Sequence, residues 1–398
     1  MEITKINESK SQLEGFTKRL ECSVEYHDGQ FEDIWVEIGG PNAGNVTNSV
    51  DPWVVMLLPV AFTLGEPIET SEAIDQTLLQ NLRSLQEIWS FWYPKFSPIE
   101  ITANTTNRFP SSVKNKRSTA SFFSGGVDSF HILANCTGPG RVIDLTGLIT
   151  VWGFDVPLSK PNEFSIVRNS CDDVAASLSL ESNVVATNIR STRFGRANWG
   201  GLSHGCALAS VGLLFSPTYE KVLIGSTHQI PDFQPWGSHV ITDPLCSSSV
   251  CQIVHFGATE NRVDKTRSLI NFDPARRHLR VCWKEQAAGN CGKCSKCVRT
   301  MSTLHLFGNL NEFRTFDSSK FSLNMLAEVV LHNKNDESFI CEINNEAKIL
   351  GDLAIHEAAT VALSRYRREE RFRRLLKPIL LPLNRLLRHA PYFWRFAK

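Results

Sequence analysis

The sequence predicts an α/β protein. A parallel-sheet domain over residues 117–312 follows an α+β region over 1–116, and a helical, basic region over 313–398 comes after it. Three observations carry this reading. Strand-like apolar runs alternate with helix-like stretches through the middle of the chain, as in βαβ units. The hexapeptide Ser124-Gly125-Gly126-Val127-Asp128-Ser129 stands between one such strand and one such helix. Four cysteines cluster late in the same region, at Cys282, Cys291, Cys294 and Cys297.

In the first region, residues 21–26 and 34–38 alternate apolar and polar around Asp28-Gly29, a hairpin signal. Residues 53–64 form the longest apolar run, too short for a bilayer and interrupted by Pro59, so a buried element is expected. From Thr70 to Trp92, Leu78, Leu79, Leu82, Leu85 and Ile88 repeat at helical spacing. Residues 97–116 are rich in Thr, Asn, Pro and Ser and read as a linker.

In the middle region the expected strands are 120–123, 147–152, 183–187 and 221–225. The expected helices are 130–135, 162–180 and 203–215. Their alternation implies a parallel sheet covered on both faces, with ligands bound beyond the carboxyl ends of the strands. Ser124 stands at one such end; residues 187–190 and 226–229 stand at two others. A glycine turn entering a helix aims backbone N–H groups at one point, where the helix dipole favours negative charge. Gly125 and Gly126 permit close approach of a phosphate, and Ser124 and Ser129 add hydroxyls. No Gly-Lys-Ser/Thr follows, so this is not a Walker loop.

The cysteines read C-x8-C-x2-C-x2-C, which suits four thiolates around a tetrahedral Zn²⁺. All ligands would come from protein, leaving no open position, so a structural ion is expected. An iron–sulfur cluster is the alternative that spacing leaves open. The chain has eleven cysteines, an odd number, and residues 1–10 are polar; a reducing cytoplasm without a signal peptide is expected. The other cysteines, including Cys246 and Cys251, are expected to pack as small hydrophobes.

The Ser124–Ser129 loop resembles the SGGxDS loop of the PP-loop ATP pyrophosphatases. With the four-cysteine motif, the chain over about residues 117–305 resembles 7-cyano-7-deazaguanine synthase. The resemblance implies a Rossmann-like, adenine nucleotide α-hydrolase fold with a zinc knuckle. It implies ATP and Mg²⁺ as cofactors, held at Ser124, Gly125, Gly126, Val127, Asp128 and Ser129, with Asp128 and Ser129 catalytic. It implies adenylation of a carboxylate with release of pyrophosphate, then acyl transfer to ammonia or an amine. Some relatives of that synthase are associated with antiphage defence and conjugate a deazaguanine to a protein, so a protein acceptor is one implied partner. The chain departs from the pattern in its flanks, in Phe130-His131 after the loop, and in Ile230-Pro231-Asp232-Phe233. Two other function classes stay open. One is a thiolating enzyme acting on RNA, with Cys136 the nearest sulfur donor. The other is a nucleotide-binding module without catalysis. A homo-oligomer is expected.

Several further positions are candidates. Arg190 could meet phosphate or carboxylate; His228, Asp232, Trp236, His239 and Asp243 could face a flat heterocycle, though for each an ordinary packing role has the greater weight. Trp199 and His204 could touch adenine or substrate. Lys265 is expected as a solvated helix lysine, with phosphate neutralisation the alternative. Amphipathic helices are expected at 323–331 and 356–363, and Pro378, Pro382 and Pro391 are expected to break the last stretch. Residues 365–398 carry a net +9 and the rest of the chain −8. An anionic membrane surface is the favoured partner of this tail; nucleic acid, an acidic protein face and a solvated surface are the alternatives.

Overall fold

The computed structural model describes residues 1–107, 118–138, 140–141, 143–232, 234–282 and 289–387. In chain order the first elements are β1 (Glu2–Lys10), β2 (Lys18–Glu25), β3 (Phe31–Gly39), α1 (Asp51–Leu64), β4 (Ile68–Thr70), β5 (Ile74–Asp75), α2 (Gln76–Trp92), β6 (Ile101–Thr102) and β7 (Thr105–Thr106). Then come β8 (Ser118–Phe122), α3 (Val127–Cys136), β9 (Leu145–Trp152), α4 (Pro161–Ser177), β10 (Glu181–Thr187), α5 (His204–Leu214), β11 (Tyr219–Gly225), β12 (Gln252–Phe256), α6 (Arg262–Ser268) and α7 (Asp273–His278). The last are α8 (Ser295–Leu306), α9 (Leu323–Ala327), α10 (Lys334–Leu350) and α11 (Leu353–Leu387). The chain divides into two compact units, Met1–Cys291 with Asn311–Phe316, and Gly292–Leu310 with the residues from Asp317 onward.

In the first unit, ten strands form one sheet in the order β12-β11-β8-β9-β10-β3-β2-β1-β4-β6. The five strands β12 to β10 are parallel. The predicted hairpin is β2 and β3: Leu20, Cys22, Val24, Ile34, Val36 and Ile38 alternate into the core. Gly29 turns between them at φ +76°, a conformation that favours glycine. β3 pairs antiparallel with β10, Val184 opposite Gly39, so the sheet continues across residue 116.

Local chemistry sets the element ends. α2 starts at Asp75 and not at Thr70, because the Asp75 carboxylate accepts the Leu78 N–H at 2.9 Å as an N-cap. Residues 68–70 join β1 instead as β4. The expected linker contains β6 and β7, which pair with β4 and β5; its remainder, 108–116, lies outside the described residues. α1 is buried on nearly every side and accommodates Pro59.

Right-handed crossovers determine the layers. The chain moves from β8 outward through β9 to β10, then returns past β8 to β11. α3 and α4 therefore cover one face of the sheet and α5 the other. α6 packs on α3, and α1 packs on α5.

The second unit is helical. Asn333 caps α10 and Gly351 ends it at φ +74°. α10 packs on α11, whose Ile355, Ala359, Ala362 and Tyr366 are buried. α11 runs unbroken through Pro378 and Pro382, against the expectation of breaks there. Each proline removes one backbone donor, and the flanking turns continue the helix. Residues 391–395 lie outside the described residues.

Candidate active site

β8 and β11 are neighbours: the chain leaves β8 through α3 on one face and enters β11 from α5 on the other. The crevice between their carboxyl ends is the topological switch point, where open α/β sheets bind ligands. The Ser124–Ser129 loop sits there. Gly125 takes φ +75°, and Gly126 is extended and N-caps α3. The Arg280 N–H donates to the Gly125 carbonyl at 2.8 Å, and an Arg280 guanidinium N–H reaches the Ser124 carbonyl at 3.4 Å. These contacts hold the turn from its carbonyl side. The first N–H groups of α3 have no partner within the helix by its geometry.

A cavity of about 250 Å³ opens at this point, lined by Ser124, Asp128, Ser129, Trp199, His204 and Arg280 among others. Phe154 and Asp155 line it as well. Sequence reading missed both, since neither belongs to a motif. It also passed over Arg280, whose nearness to Cys282 was the available signal.

The loop side chains hold definite positions. The Ser129 hydroxyl donates to the Gly126 carbonyl at 3.0 Å, so it stabilises the helix start. The Asp128 carboxylate lies 2.9 Å from Arg262 and 3.7 Å from Lys265. Lys265 is 1 % exposed and donates to the Ser226 carbonyl at 2.6 Å. It is a buried lysine on α6, not the solvated one expected, because α6 packs against α3 and turns Lys265 inward. Asn261 starts α6 by accepting the Asp264 N–H at 2.9 Å. His131 stands behind, with Nδ1 2.9 Å from the Ser268 hydroxyl; burial, reinforced by the Lys265 charge, pulls its pKa below the ordinary value. Gly225 completes the junction: a Cβ there would meet the Asp128 backbone at 3.1 Å.

Aromatic rings form another wall. Trp199 stands edge-on to Phe154 at 5.2 Å, with the Arg190 guanidinium 4.3 Å over its ring. Arg190 also donates to the Phe154 carbonyl at 3.2 Å, so it braces this wall. Trp199–Ser203 is a π-helical turn, a feature frequent at functional sites. His204 Nδ1 lies 2.8 Å from the Trp199 carbonyl, and burial lowers its pKa. His204 also stands edge-on to Trp236 at 5.8 Å, and Trp236 to His228 at 5.4 Å.

Other candidates take packing roles. Asp243 is 1 % exposed; it sits 2.7 Å from His255 Nδ1 and accepts the Ser238 hydroxyl at 2.6 Å and the His239 N–H at 3.1 Å. It thus braces the loop that carries Ser238 and His239. His239 is buried edge-on to Trp92 at 5.1 Å. The side chain of Asp232 and all of Phe233 lie outside the described residues. Cys246 and Cys251 are buried, as expected. Cys136, at the end of α3, is buried, and that burial pushes its thiol up to about 11. A thiol so protonated is a poor sulfur carrier.

The sulfurs of Cys282, Cys291, Cys294 and Cys297 lie within 4.8 Å of one another. A tetrahedral zinc with Zn–S bonds of about 2.3 Å separates its sulfurs by about 3.8 Å, so a slight contraction completes the site. Asn290 shapes the approach: its side-chain oxygen accepts the Val281 and Cys282 N–H groups at 2.8 and 3.1 Å, and its amide donates to the Leu279 carbonyl at 2.8 Å. Gly289 and Gly292 turn the chain on either side of Cys291 at positive φ. Cys294 N-caps α8, where the helix dipole favours a thiolate. The cluster is compatible with zinc.

Comparison of the chain with protein-family models, curated proteins and solved structures found no match.

Proposed function

We propose that this chain is a PP-loop enzyme that uses ATP to adenylate a carboxylate and passes the acyl group to ammonia or an amine. One observation carries the reading. A two-glycine turn, Gly125 left-handed and Gly126 extended, opens the N-terminus of α3 into a cavity at the switch point of the parallel sheet.

The chemistry asks for little acid–base machinery. A carboxylate oxygen attacks the α-phosphorus of ATP, the α–β bond breaks, and pyrophosphate departs. An amine then attacks the acyl carbon, and AMP leaves with the bonding electron pair. Donors preorganised around the departing pyrophosphate lower the barrier, and positioning supplies much of the remainder. In this reading the loop and the first turn of α3 receive the pyrophosphate. Arg262 and Lys265 supply positive charge beneath the loop, oriented by Asp128. The aromatic wall of Phe154, Trp199 and His204 suits a flat heterocycle, so a deazaguanine carboxylate is the first substrate to test.

Asp128 does not fit a resident Mg²⁺, because its carboxylate is already shared between two cations, Arg262 and Lys265. Mg²⁺ would arrive with the incoming nucleotide. The four cysteines would hold Zn²⁺ as a structural ion.

The test is AMP release from ATP with 7-carboxy-7-deazaguanine, with and without ammonia. AMP and pyrophosphate are expected in equal amounts. Gly126→Val is the matched variant. Gly126 has an extended backbone, and the added Cβ meets the Ser124 hydroxyl at 3.5 Å, an ordinary contact. The protein is expected to fold while its added methyl groups cover the donors and stop turnover. ATP binding without AMP release across a panel of carboxylates would sink the enzymatic reading. Salt-sensitive copurification of tRNA would favour the RNA reading.

A further inference from the structure

Helix α11 changes character along its length. Up to Tyr366 its buried positions Ile355, Ala359, Ala362 and Tyr366 follow i, i+4, i+7 and i+11. Extending that stripe reaches Glu370, Arg373 and Lys377. The face that packs in the helical unit therefore becomes charged.

A second apolar set begins beyond it. Phe372, Leu375, Leu376, Ile379, Leu383 and Leu386 follow i, i+3, i+4, i+7, i+11 and i+14, the spacing of one helical face. The helix runs to Leu387. At about 100° per residue, these positions span an arc of about 100°, centred roughly 120° from the first stripe. Phe372 and Leu375 are 62 % and 72 % exposed. Arg373, Arg374, Lys377 and Arg385 fall on the opposite side, and no acidic residue follows Glu370.

We propose that the distal part of α11 lies on an anionic lipid surface, with the stripe from Phe372 in the acyl boundary and the arginines and lysine at the headgroups. Charge complementarity selects an anionic partner. The leucine-rich stripe selects lipid over nucleic acid, because phosphate contacts leave such a stripe in water. Among the described residues no helix is long and apolar enough to cross a membrane. This proposal is independent of the chemistry of the cleft.

The experiment is sedimentation of the full chain with vesicles of phosphatidylcholine alone or with about 30 % phosphatidylserine. Binding to the anionic vesicles is expected, at least tenfold tighter than to neutral ones. It should fall at least tenfold at about 0.5 M salt, where charges are screened within a few ångströms. Phe372→Glu with Leu375→Glu alters exposed positions only; it should keep the melting temperature and lose binding at least tenfold. Arg373→Gln with Arg374→Gln should weaken anionic binding and spare the fold. Absent binding, or equal binding by the double glutamate variant, overturns the proposal. So does tail-dependent self-association in light scattering without vesicle binding, or a preference for RNA over anionic vesicles at equal salt.

Discussion

Replacing Lys265 with methionine probes the charged junction beneath the loop. Methionine keeps the buried stem and removes the charge. Two interactions are lost. The first is a charged hydrogen bond to the Ser226 carbonyl at 2.6 Å, a class worth about 1.5–3 kcal/mol. The second is the attraction to Asp128 at 3.7 Å, roughly 4.5 kcal/mol by Coulomb's law at an effective dielectric of about 20. That second figure must be discounted, because the Asp128 side chain is 23 % exposed and Arg262 also pairs with it at 2.9 Å. Part of the cost of desolvating the ammonium is also recovered. A net loss of about 2–4 kcal/mol follows. Urea unfolding followed by tryptophan fluorescence reads it as a lower midpoint at unchanged slope. A cycle with Asp128→Asn should then show coupling of about 1–2 kcal/mol. A loss under about 0.5 kcal/mol, typical of a surface substitution, would refute the buried-junction reasoning. So would additivity of the two changes within about 0.3 kcal/mol.

Three further outcomes are expected. Metal analysis should find one zinc per chain, and Cys297→Ser, at a fully buried ligand position, should lose it together with several degrees of melting temperature; a metal-free wild type with the same melt would dismiss the zinc site. His131 and His204 both have pKa values lowered chiefly by burial, so below their ordinary 6.5 the unfolded chain binds more protons than the folded one. Their stability contribution is complete above about pH 6.5 and is lost as pH falls towards the depressed values; the melting temperature should drop from pH 7.5 to 5.5, and His131→Gln should flatten that slope. Gly225→Ala should push the Asp128 backbone by a few tenths of an ångström and cut AMP release about tenfold or more, with a smaller effect on melting; unchanged turnover would mean the loop tolerates the shift.

Much of this protein is legible locally. The β2–β3 hairpin is written in its alternation and in Gly29, the α/β order in apolar runs separated by helical periods, and the cysteine cluster in its spacing. The glycine turn also announces its own strand–turn–helix geometry, since neighbouring residues alone decide it. Other features depend on which distant surfaces meet. β3 joins β10 because two apolar faces share one core, and no local signal separates that pairing from an independent domain. Lys265 reads as solvated until α6 packs on α3 and closes it in with Asp128. Ser129 looks like a ligand donor until its hydroxyl finds the Gly126 carbonyl, and Arg280 reaches the loop only through the returning chain. Sequence alone thus determined the local turn, the periodicities and the ligand spacing, because those depend on residues a few positions apart. Tertiary structure decided which charges are buried and what they neutralise, because desolvation depends on everything packed around a group.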